Sequence, residues 1–192
     1  HQERNLDFRS SIIEFGPVFE LNFIEYEMGS KNNWGQKVKN GGTAYIFGGL
    51  NYFRMKPEGL RSNGEWMELQ PLGTEGQGTS QNSKKPYKVN QISIPFGVGI
   101  KANLGPRFAF SLEYGLRKTF TDYLDDVSGN YVDLDILELE SGPLSAELSN
   151  KSGDSNISSG QQRGNPHVKD WYVFAGAMLT YRLTKPGTCS RW

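Results

Sequence analysis

The sequence predicts an all-β fold, an antiparallel β-barrel that crosses a membrane, and three observations predict it. Hydrophobic residues make up only 36% of the 192 residues, so no window approaches the roughly 20 continuous apolar residues of a helical span. Several segments instead alternate apolar and polar residues at the two-residue period of a strand. These segments are long, because a strand that crosses a bilayer needs about 9–11 residues, whereas an ordinary strand has about 5–6.

Five long segments and two short ones are predicted to be strands. The third long segment has the cleanest pattern, because apolar residues at even positions alternate with Ser93, Gly97 and Lys101. The second is apolar on both faces. The long segments are Asp7 to Ile24, Thr43 to Arg54, Gln91 to Ala102, Arg107 to Phe120 and Asp170 to Leu183; the short ones are Trp66 to Leu69 and Tyr131 to Leu139.

The connections predict which side of the membrane each segment faces. A tight turn at Asn103 to Pro106 joins the third and fourth strands, whereas the stretches at 56–90 and 121–169 are long and polar. Outer-membrane barrels have short periplasmic turns and long extracellular loops. We therefore expect the long stretches outside the cell and the C-terminus in the periplasm, although the link from Glu25 to Gly42 is long for a periplasmic turn. Within the loops, 72–85 and 141–166 are predicted to be loop or disorder.

Charged residues on the inward faces of the predicted strands are candidates for the barrel interior. Small barrels fill their interior with side chains, and a buried charge needs a partner. We therefore expect an ion-pair network that plugs the lumen; a selective pore is the alternative, but an eight-stranded barrel leaves it almost no room. The candidates are Glu14, Glu20, Lys101, Glu113, Arg117 and Arg182.

Aromatic residues near the predicted strand ends are candidates for the membrane–water interfaces. Membrane barrels carry girdles of aromatic side chains at both interfaces. We expect these residues to anchor the barrel rather than to bind a ligand. The candidates are Tyr114, Tyr123, Trp171, Tyr172 and Tyr181.

The sequence gives little support for catalysis, a metal, a cofactor or a nucleic-acid partner. The 21 basic and 21 acidic residues are well mixed, whereas a nucleic-acid surface needs a concentrated basic stripe. A site built from His167 and Asp170 has no nucleophile motif behind it. Five aspartates carry oxygen ligands suited to calcium, but their spacing does not match an EF-hand loop, so we expect a solvated turn with Asx caps. They are Asp122, Asp125, Asp126, Asp133 and Asp135.

Distinctive motifs occur in order along nearly the whole chain. They are RNLDFRSSIIEFG (4–16), ELQPLGTEGQGT (68–79), QISIPFGVGI (91–100), LEYGLRKTFTDYLDDVSGNYVDLD (112–135) and QRGNPHVKDWYVFAGAMLTYRL (162–183). The most specific are TFTDYLDD (119–126) and RGNP (163–166). Together they resemble a family of Bacteroidota outer-membrane β-barrels that includes PorG, a component of the type IX secretion system.

The resemblance implies an exported barrel of about eight strands, which contacts a periplasmic lipoprotein ring and serves protein secretion, coupled in some organisms to gliding motility. Residues 1–192 then form one barrel domain. Family members begin with a signal peptide and further strands, and five long strands cannot close a barrel. We therefore expect the chain to lack about three N-terminal strands.

The leading hypothesis is thus a non-enzymatic anchor or scaffold of the secretion machinery in the outer membrane, in contact with lipid, lipopolysaccharide, the lipoprotein ring and other secretion subunits. Three alternatives remain open. The first is a small-solute channel, and the second is an OmpA-like structural or adhesion barrel whose loops bind outside partners. The third is a soluble lipocalin-like barrel, which predicts apolar residues inside and Glu113 and Arg117 outside.

Overall fold

The computed structural model describes residues 7–28, 41–151 and 158–183. Within them the chain is mostly antiparallel β-sheet with eight strands and few helices, which confirms the predicted all-β class. The strands are β1 (Phe8–Phe15), β2 (Val18–Asn22), β3 (Gly42–Gly49), β4 (Asn51–Leu60), β5 (Trp66–Glu68), β6 (Asn90–Asn103), β7 (Phe108–Thr119) and β8 (Trp171–Tyr181); the α-helices are α1 (Leu134–Ser141) and α2 (Pro143–Ser149).

All five predicted long segments contain strands, but two of them are divided. Thr43 to Arg54 forms β3 and the first part of β4, which continues to Leu60 into the stretch predicted as loop at 56–90. The other three segments form strands of the length that crossing a membrane needs. β6, β7 and β8 contain 14, 12 and 11 residues. The segment Asp7 to Ile24 is divided into β1 and β2, because Pro17 has no N–H for the ladder. Its carbonyl accepts a hydrogen bond from the Leu50 N–H (3.2 Å), at the point where β3 gives way to β4.

The chain forms two compact units. The first comprises His1–Phe15, Tyr52–Ser93 and Thr119–Asp170. In it β1 pairs with β4, and β4 pairs with β5, both antiparallel. The core is small: Phe53 and Met55 of β4 and Leu137 of α1 are almost completely buried.

The second unit comprises Gly16–Asn51, Ile94–Lys118 and Trp171–Trp192. Its strands follow one another in the sheet: β2 pairs with β3, β3 with β6, β6 with β7 and β7 with β8. Tyr45 and Phe47 of β3 are buried, and glycines on neighbouring strands make room for their rings. A Cβ atom at Gly99 would lie 2.3 Å from Tyr45 Cζ, and one at Gly97 would lie 2.7 Å from Phe47 Cζ.

Two predictions about the short elements are confirmed and one is wrong. β5 confirms the predicted strand at Trp66 to Leu69, and the turn at Asn103 to Pro106 is also confirmed, since β6 ends and β7 begins around it. The strand predicted at Tyr131 to Leu139 is wrong, because α1 begins there. The Asp133 side chain caps α1 by accepting from the N–H groups of Asp135 (3.0 Å) and Ile136 (3.3 Å), and a cap of this kind favours a helix over a strand.

The polar stretches are more ordered than predicted. α2 occupies part of the loop expected at 141–166, and Pro143 stands at its first turn, a position that proline favours. In the loop expected at 72–85, Thr74 and Glu75 are 0% and 2% exposed. The described parts of these segments are therefore folded and packed.

Candidate functional site

One face of β6 and β7 is apolar and exposed. In the second unit, the eight apolar side chains of this face are 37% to 57% exposed. On the opposite face, Ser111 and Arg117 are only 6% and 5% exposed. A sheet in a water-soluble protein shows the reverse arrangement. The exposed apolar face consists of Ile94, Phe96, Val98, Ile100, Phe108, Phe110, Leu112 and Tyr114. An apolar face of this extent needs a partner or an apolar solvent.

Three of the residues predicted for the lumen meet on the opposite, polar face. Lys101 forms an ion pair with Glu20, and its Nζ lies 4.5 Å from the centre of the Tyr45 ring. The Tyr45 hydroxyl in turn donates a hydrogen bond to Glu113 Oε1 (2.6 Å). Glu20, Lys101 and Glu113 are therefore joined through one buried tyrosine. That they line a lumen stays a prediction.

The other three predicted lumen residues have contacts of their own. The Arg117 guanidinium lies over the Phe174 ring at 4.6 Å, on the same polar face. Arg182 Nη1 donates to the Met28 carbonyl (2.6 Å). Glu14 is half-buried in the first unit, opposite Phe53 of β4. The soluble-barrel alternative predicted Arg117 outside and the apolar residues inside, and both positions contradict it.

The predicted interface aromatics fall into two groups. Tyr114, Trp171 and Tyr181 are 57%, 49% and 46% exposed. Tyr172 lies on the other side of β8, because it is half-buried and opposite Arg117 in the β7–β8 register. Its side chain points away from the face of Trp171, since adjacent residues of a strand point to opposite faces. Tyr123 packs inside the loops of the first unit. That any of the five anchors the protein at a membrane interface stays a prediction.

Those loops form a folded element that we call the loop cluster, residues 70–89 and 119–170 as far as the structure describes them. At its centre, Arg163 and Glu75 are 1% and 2% exposed. Glu75 Oε1 accepts from Arg163 Nη1 (3.2 Å), from the Ser128 N–H (2.8 Å) and from the Gly129 N–H (2.9 Å). A buried ion pair with several further hydrogen bonds is strongly coupled to its surroundings, because removal of one partner leaves a charge without compensation.

Asp126 is the second buried acid of the loop cluster. Its carboxylate accepts hydrogen bonds from the Thr74 hydroxyl and from the Tyr87 hydroxyl (2.6 Å). Arg163 Nη1 donates to the Asp126 carbonyl (2.7 Å), and its Nη2 lies 3.9 Å from the Asp126 carboxylate. Burial raises the pKa of Asp126 to about 6 and raises the pKa of Tyr87 from its ordinary value.

Two tyrosines connect the acids. The Tyr87 and Tyr123 rings stack with their centres 4.4 Å apart and their planes 10° apart. The Tyr123 hydroxyl is 3.3 Å from Glu75 Oε2. Tyr123 therefore serves the internal packing of the loop cluster, which explains why it is absent from the exposed aromatic group.

The five aspartates considered for calcium have separate roles. Asp122 and Asp126 are buried rather than solvated, and Asp122 accepts from the Ser128 hydroxyl (2.7 Å). Asp125 accepts from the Val127 N–H (3.1 Å), which is the expected Asx turn, while Asp133 caps α1. Among the described residues, no group of three or more His, Cys, Asp or Glu side chains is placed to hold a metal ion.

The two residues considered for catalysis do not form a site together. His167 is exposed, and its backbone N–H donates to the Asn165 side chain (3.2 Å). The Asp170 carboxylate accepts from the Leu124 N–H (2.9 Å), and burial raises its pKa to about 6. Asp170 thus holds the chain of the loop cluster in place.

The loop cluster also has an open polar cleft of about 480 Å³. Glu75 and Tyr123 reach it from the buried network, and Tyr131 and Lys84 contribute further side chains. Amide, hydroxyl and tyrosine groups of this kind can hydrogen-bond and stack against a polar ligand. Sequence reasoning missed both the cleft and the network. The available signal was the distinctiveness of Thr119 to Asp126 and Arg163 to Pro166, which supply Tyr123, Asp126 and Arg163.

Fold and site together define a β-sheet protein whose strands expose an apolar face and whose loops fold around buried charge. The model of a family described as a domain of unknown function, DUF6089, matches residues 75–148, a range that includes β6, β7, both helices and much of the loop cluster. No curated protein and no solved structure matches the chain. No helix in the described part of the chain is long and apolar enough to span a membrane.

Proposed function

We propose that this chain forms the wall of an outer-membrane β-barrel and acts as a non-enzymatic anchor or scaffold. The single observation that carries the proposal is the exposed apolar face of β6 and β7, opposite a face that carries Lys101, Glu113 and Arg117. Lipid is the solvent that makes this arrangement favourable, because outer-membrane strands alternate apolar residues towards lipid and polar residues towards the lumen.

The dimensions support the same proposal. The apolar positions of β6 run from Ile92 to Ile100, a stretch of nine residues. A tilted strand needs about 9–11 residues to cross the hydrocarbon core of a bilayer. On the polar face, the rings of Tyr45 and Phe47 fill the space that glycines leave. A filled interior favours a scaffold over a small-solute channel.

The proposed cellular role is a component of the type IX secretion machinery, with the long loops extracellular and the C-terminus periplasmic. Its partners are a periplasmic lipoprotein ring, other secretion subunits and the lipids of the outer membrane; in some organisms the role extends to gliding motility. The support is the resemblance to Bacteroidota barrels. Its two most specific motifs, at 119–126 and 163–166, supply Asp126 and Arg163 of the buried network in the loop cluster.

Two experiments test this role. Native purification in mild detergent, with every co-migrating chain identified, should recover a periplasmic lipoprotein ring. Deletion of the gene should abolish the appearance of secreted substrate proteins outside the cell, and the intact gene should restore it. Secretion that continues undiminished after deletion contradicts the secretion role without affecting the barrel.

A second candidate is an OmpA-like adhesion barrel, and the polar cleft of the loop cluster favours it. An extracellular partner would bind the cleft through hydrogen bonds to its polar lining. Deletion of Ser141 to Gln162 should then abolish a surface interaction while the barrel still assembles. Cells that keep all surface interactions after this deletion contradict the adhesion role.

A further inference from the structure

Residues that lie opposite each other on neighbouring strands of the first unit form rows across the sheet. On its outward face, these rows change from apolar to cationic within two steps along the strands. β1 and β4 pair with Phe15 opposite Tyr52, Ile13 opposite Arg54 and Ser11 opposite Lys56. The Met55 N–H donates to the Val89 carbonyl (3.0 Å), and residues joined in this way lie directly opposite each other in an antiparallel pair. Tyr52 therefore faces Ile92, and the next rows place Arg54 beside Asn90 and Lys56 beside Lys88.

The cations of these rows are exposed and only partly neutralised. Lys56 lies 3.0 Å from Glu58 and 4.0 Å from Glu68, and Glu58 also pairs with Arg9 at 2.6 Å. In the described part of the chain, Arg54 and Lys88 have no acidic group within ion-pair distance. Lys56 and Lys88 stand side by side across the strands, where like charges repel. Such an arrangement is stabilised by an anion bound between the strands.

An apolar notch lies immediately below these cations. It has a volume of about 330 Å³ and is lined by Tyr52, Asn90, Gln91, Ile92 and Phe120. Tyr52, Ile92 and Phe120 are 56%, 46% and 52% exposed. The notch offers apolar surface to an acyl chain, and the amides of Asn90 and Gln91 offer hydrogen bonds at the level where the cations begin.

We propose that Arg54, Lys56 and Lys88, together with this notch, bind a phosphorylated glycolipid of the outer leaflet. The phosphate lies against the cations, sugar hydroxyls against the two amides and an acyl chain against the aromatic rings. The charges match, because Arg and Lys are the usual phosphate partners and basic residues attract anionic lipid at a membrane surface. The choice of the outer leaflet rests on the proposed function, which places the loop side of the strands outside the cell.

The test uses the full-length protein purified in mild detergent and counts bound lipid by native mass spectrometry. The probes are diphosphorylated lipid A, the same lipid A without its phosphates, and phosphatidylglycerol. Diphosphorylated lipid A should bind most tightly. The double variant Arg54→Ser, Lys88→Ser should weaken its binding by about tenfold or more. Wild-type binding should also weaken as salt is raised.

The matched control is the double variant Lys85→Ser, Lys151→Ser, which removes two cations of the first unit that lie outside these rows. It should leave the binding of diphosphorylated lipid A unchanged. Equal losses in both double variants, equal binding of the dephosphorylated lipid, or equal binding of phosphatidylglycerol would each overturn the proposed site. Insertion into lipid vesicles is measured in parallel by flotation. A protein that inserts without selective binding contradicts the lipid site alone, whereas one that never inserts contradicts the proposed function as well.

Discussion

On β7 of the second unit, Leu112 and Tyr114 are 43% and 57% exposed while Arg117 is 5% exposed. In the loop cluster of the first unit, Leu137 and Leu148 are 0% and 2% exposed, as in a water-soluble domain. The loop cluster buries charge as well, but there the carboxylates of Glu75 and Asp126 each accept several hydrogen bonds beside Arg163. The two regions of one chain thus follow opposite rules for their apolar side chains.

Under the proposed function, the two regions meet different solvents. Water makes burial of Leu137 favourable by about 1.5–3 kcal/mol, and the same effect would penalise Leu112 on a strand face exposed to water. A lipid environment would remove that penalty and would instead penalise exposed charge.

Arg163→Ala should cause the largest loss. The substitution leaves Glu75 and Asp126 buried without their cation, which costs about 3–5 kcal/mol for a buried pair. Native-state hydrogen exchange at the Ser128 and Gly129 amides, which donate to Glu75, reports the loss locally. The control is Arg61→Ala, whose half-exposed partner Glu147 lies 3.1 Å away and whose loss should cost about 0–1 kcal/mol. Similar losses in the two variants would show that the network does not stabilise the loop cluster.

Leu112→Arg should destabilise the strand region by about 2–4 kcal/mol, the cost of a cation on the lipid face near the bilayer centre. The measurement is the urea dependence of the folded fraction in lipid vesicles. Leu139→Arg is the matched control, because Leu139 of α1 is 85% exposed in the loop cluster. A surface in water would tolerate both substitutions, so equal stability of the two variants would count against a lipid-facing β7.

Gly99→Ala should destabilise the polar face by about 1–3 kcal/mol through overpacking. Its new Cβ would lie 2.3 Å from Tyr45 Cζ, so the ring must move away from Glu113. The same urea measurement applies. Gly105→Ala, where no atom lies within 4 Å of the new Cβ, should have almost no effect, and a comparable loss there would indicate a general effect of glycine replacement.

Burial of Asp126 should also make the stability of the loop cluster depend on pH. Burial raises the pKa of Asp126 from 3.8 to about 6, so the folded state binds more protons than the unfolded state between these values. The Asp126 contribution to the unfolding free energy therefore falls as the pH rises from 4 to 7. Hydrogen exchange at several pH values should show wild type losing stability relative to Asp126→Asn over this range. If the stability of wild type relative to Asp126→Asn stays constant or grows with pH, the surroundings of Asp126 do not favour its uncharged form, which contradicts the prediction.

The strands could be predicted from the sequence because their pattern is local. Period-two alternation at Ile92 to Ile100 reports a two-faced strand whatever surrounds it, and Asn103 to Pro106 carries ordinary turn residues. α1 was missed because Val132, Leu134 and Ile136 also alternate. The Asp133 cap was the competing signal that decided the element.

The loop cluster could not be predicted because its contacts join distant parts of the chain. Arg163 and Glu75 are 88 residues apart, and polar composition alone suggests loops or disorder for both. Tyr123 shows the same difficulty, since its position near a strand end suggested an interface while its stacking partner, Tyr87, lies in another loop. Lys101 and Glu20 were both candidates in advance, but their pairing depends on strand register that composition does not reveal.

The central claim is that the exposed apolar face of β7 meets lipid. The only cysteine of the chain, Cys189, is first replaced by serine. Single cysteines are then introduced at positions 110 to 115, and each is labelled with a fluorophore. The labelled proteins are inserted into vesicles whose lipid tails carry a quencher. Quenching should be strong at 110, 112 and 114 and weak at 111, 113 and 115. Weak quenching at all six positions, or the opposite alternation, would contradict the account.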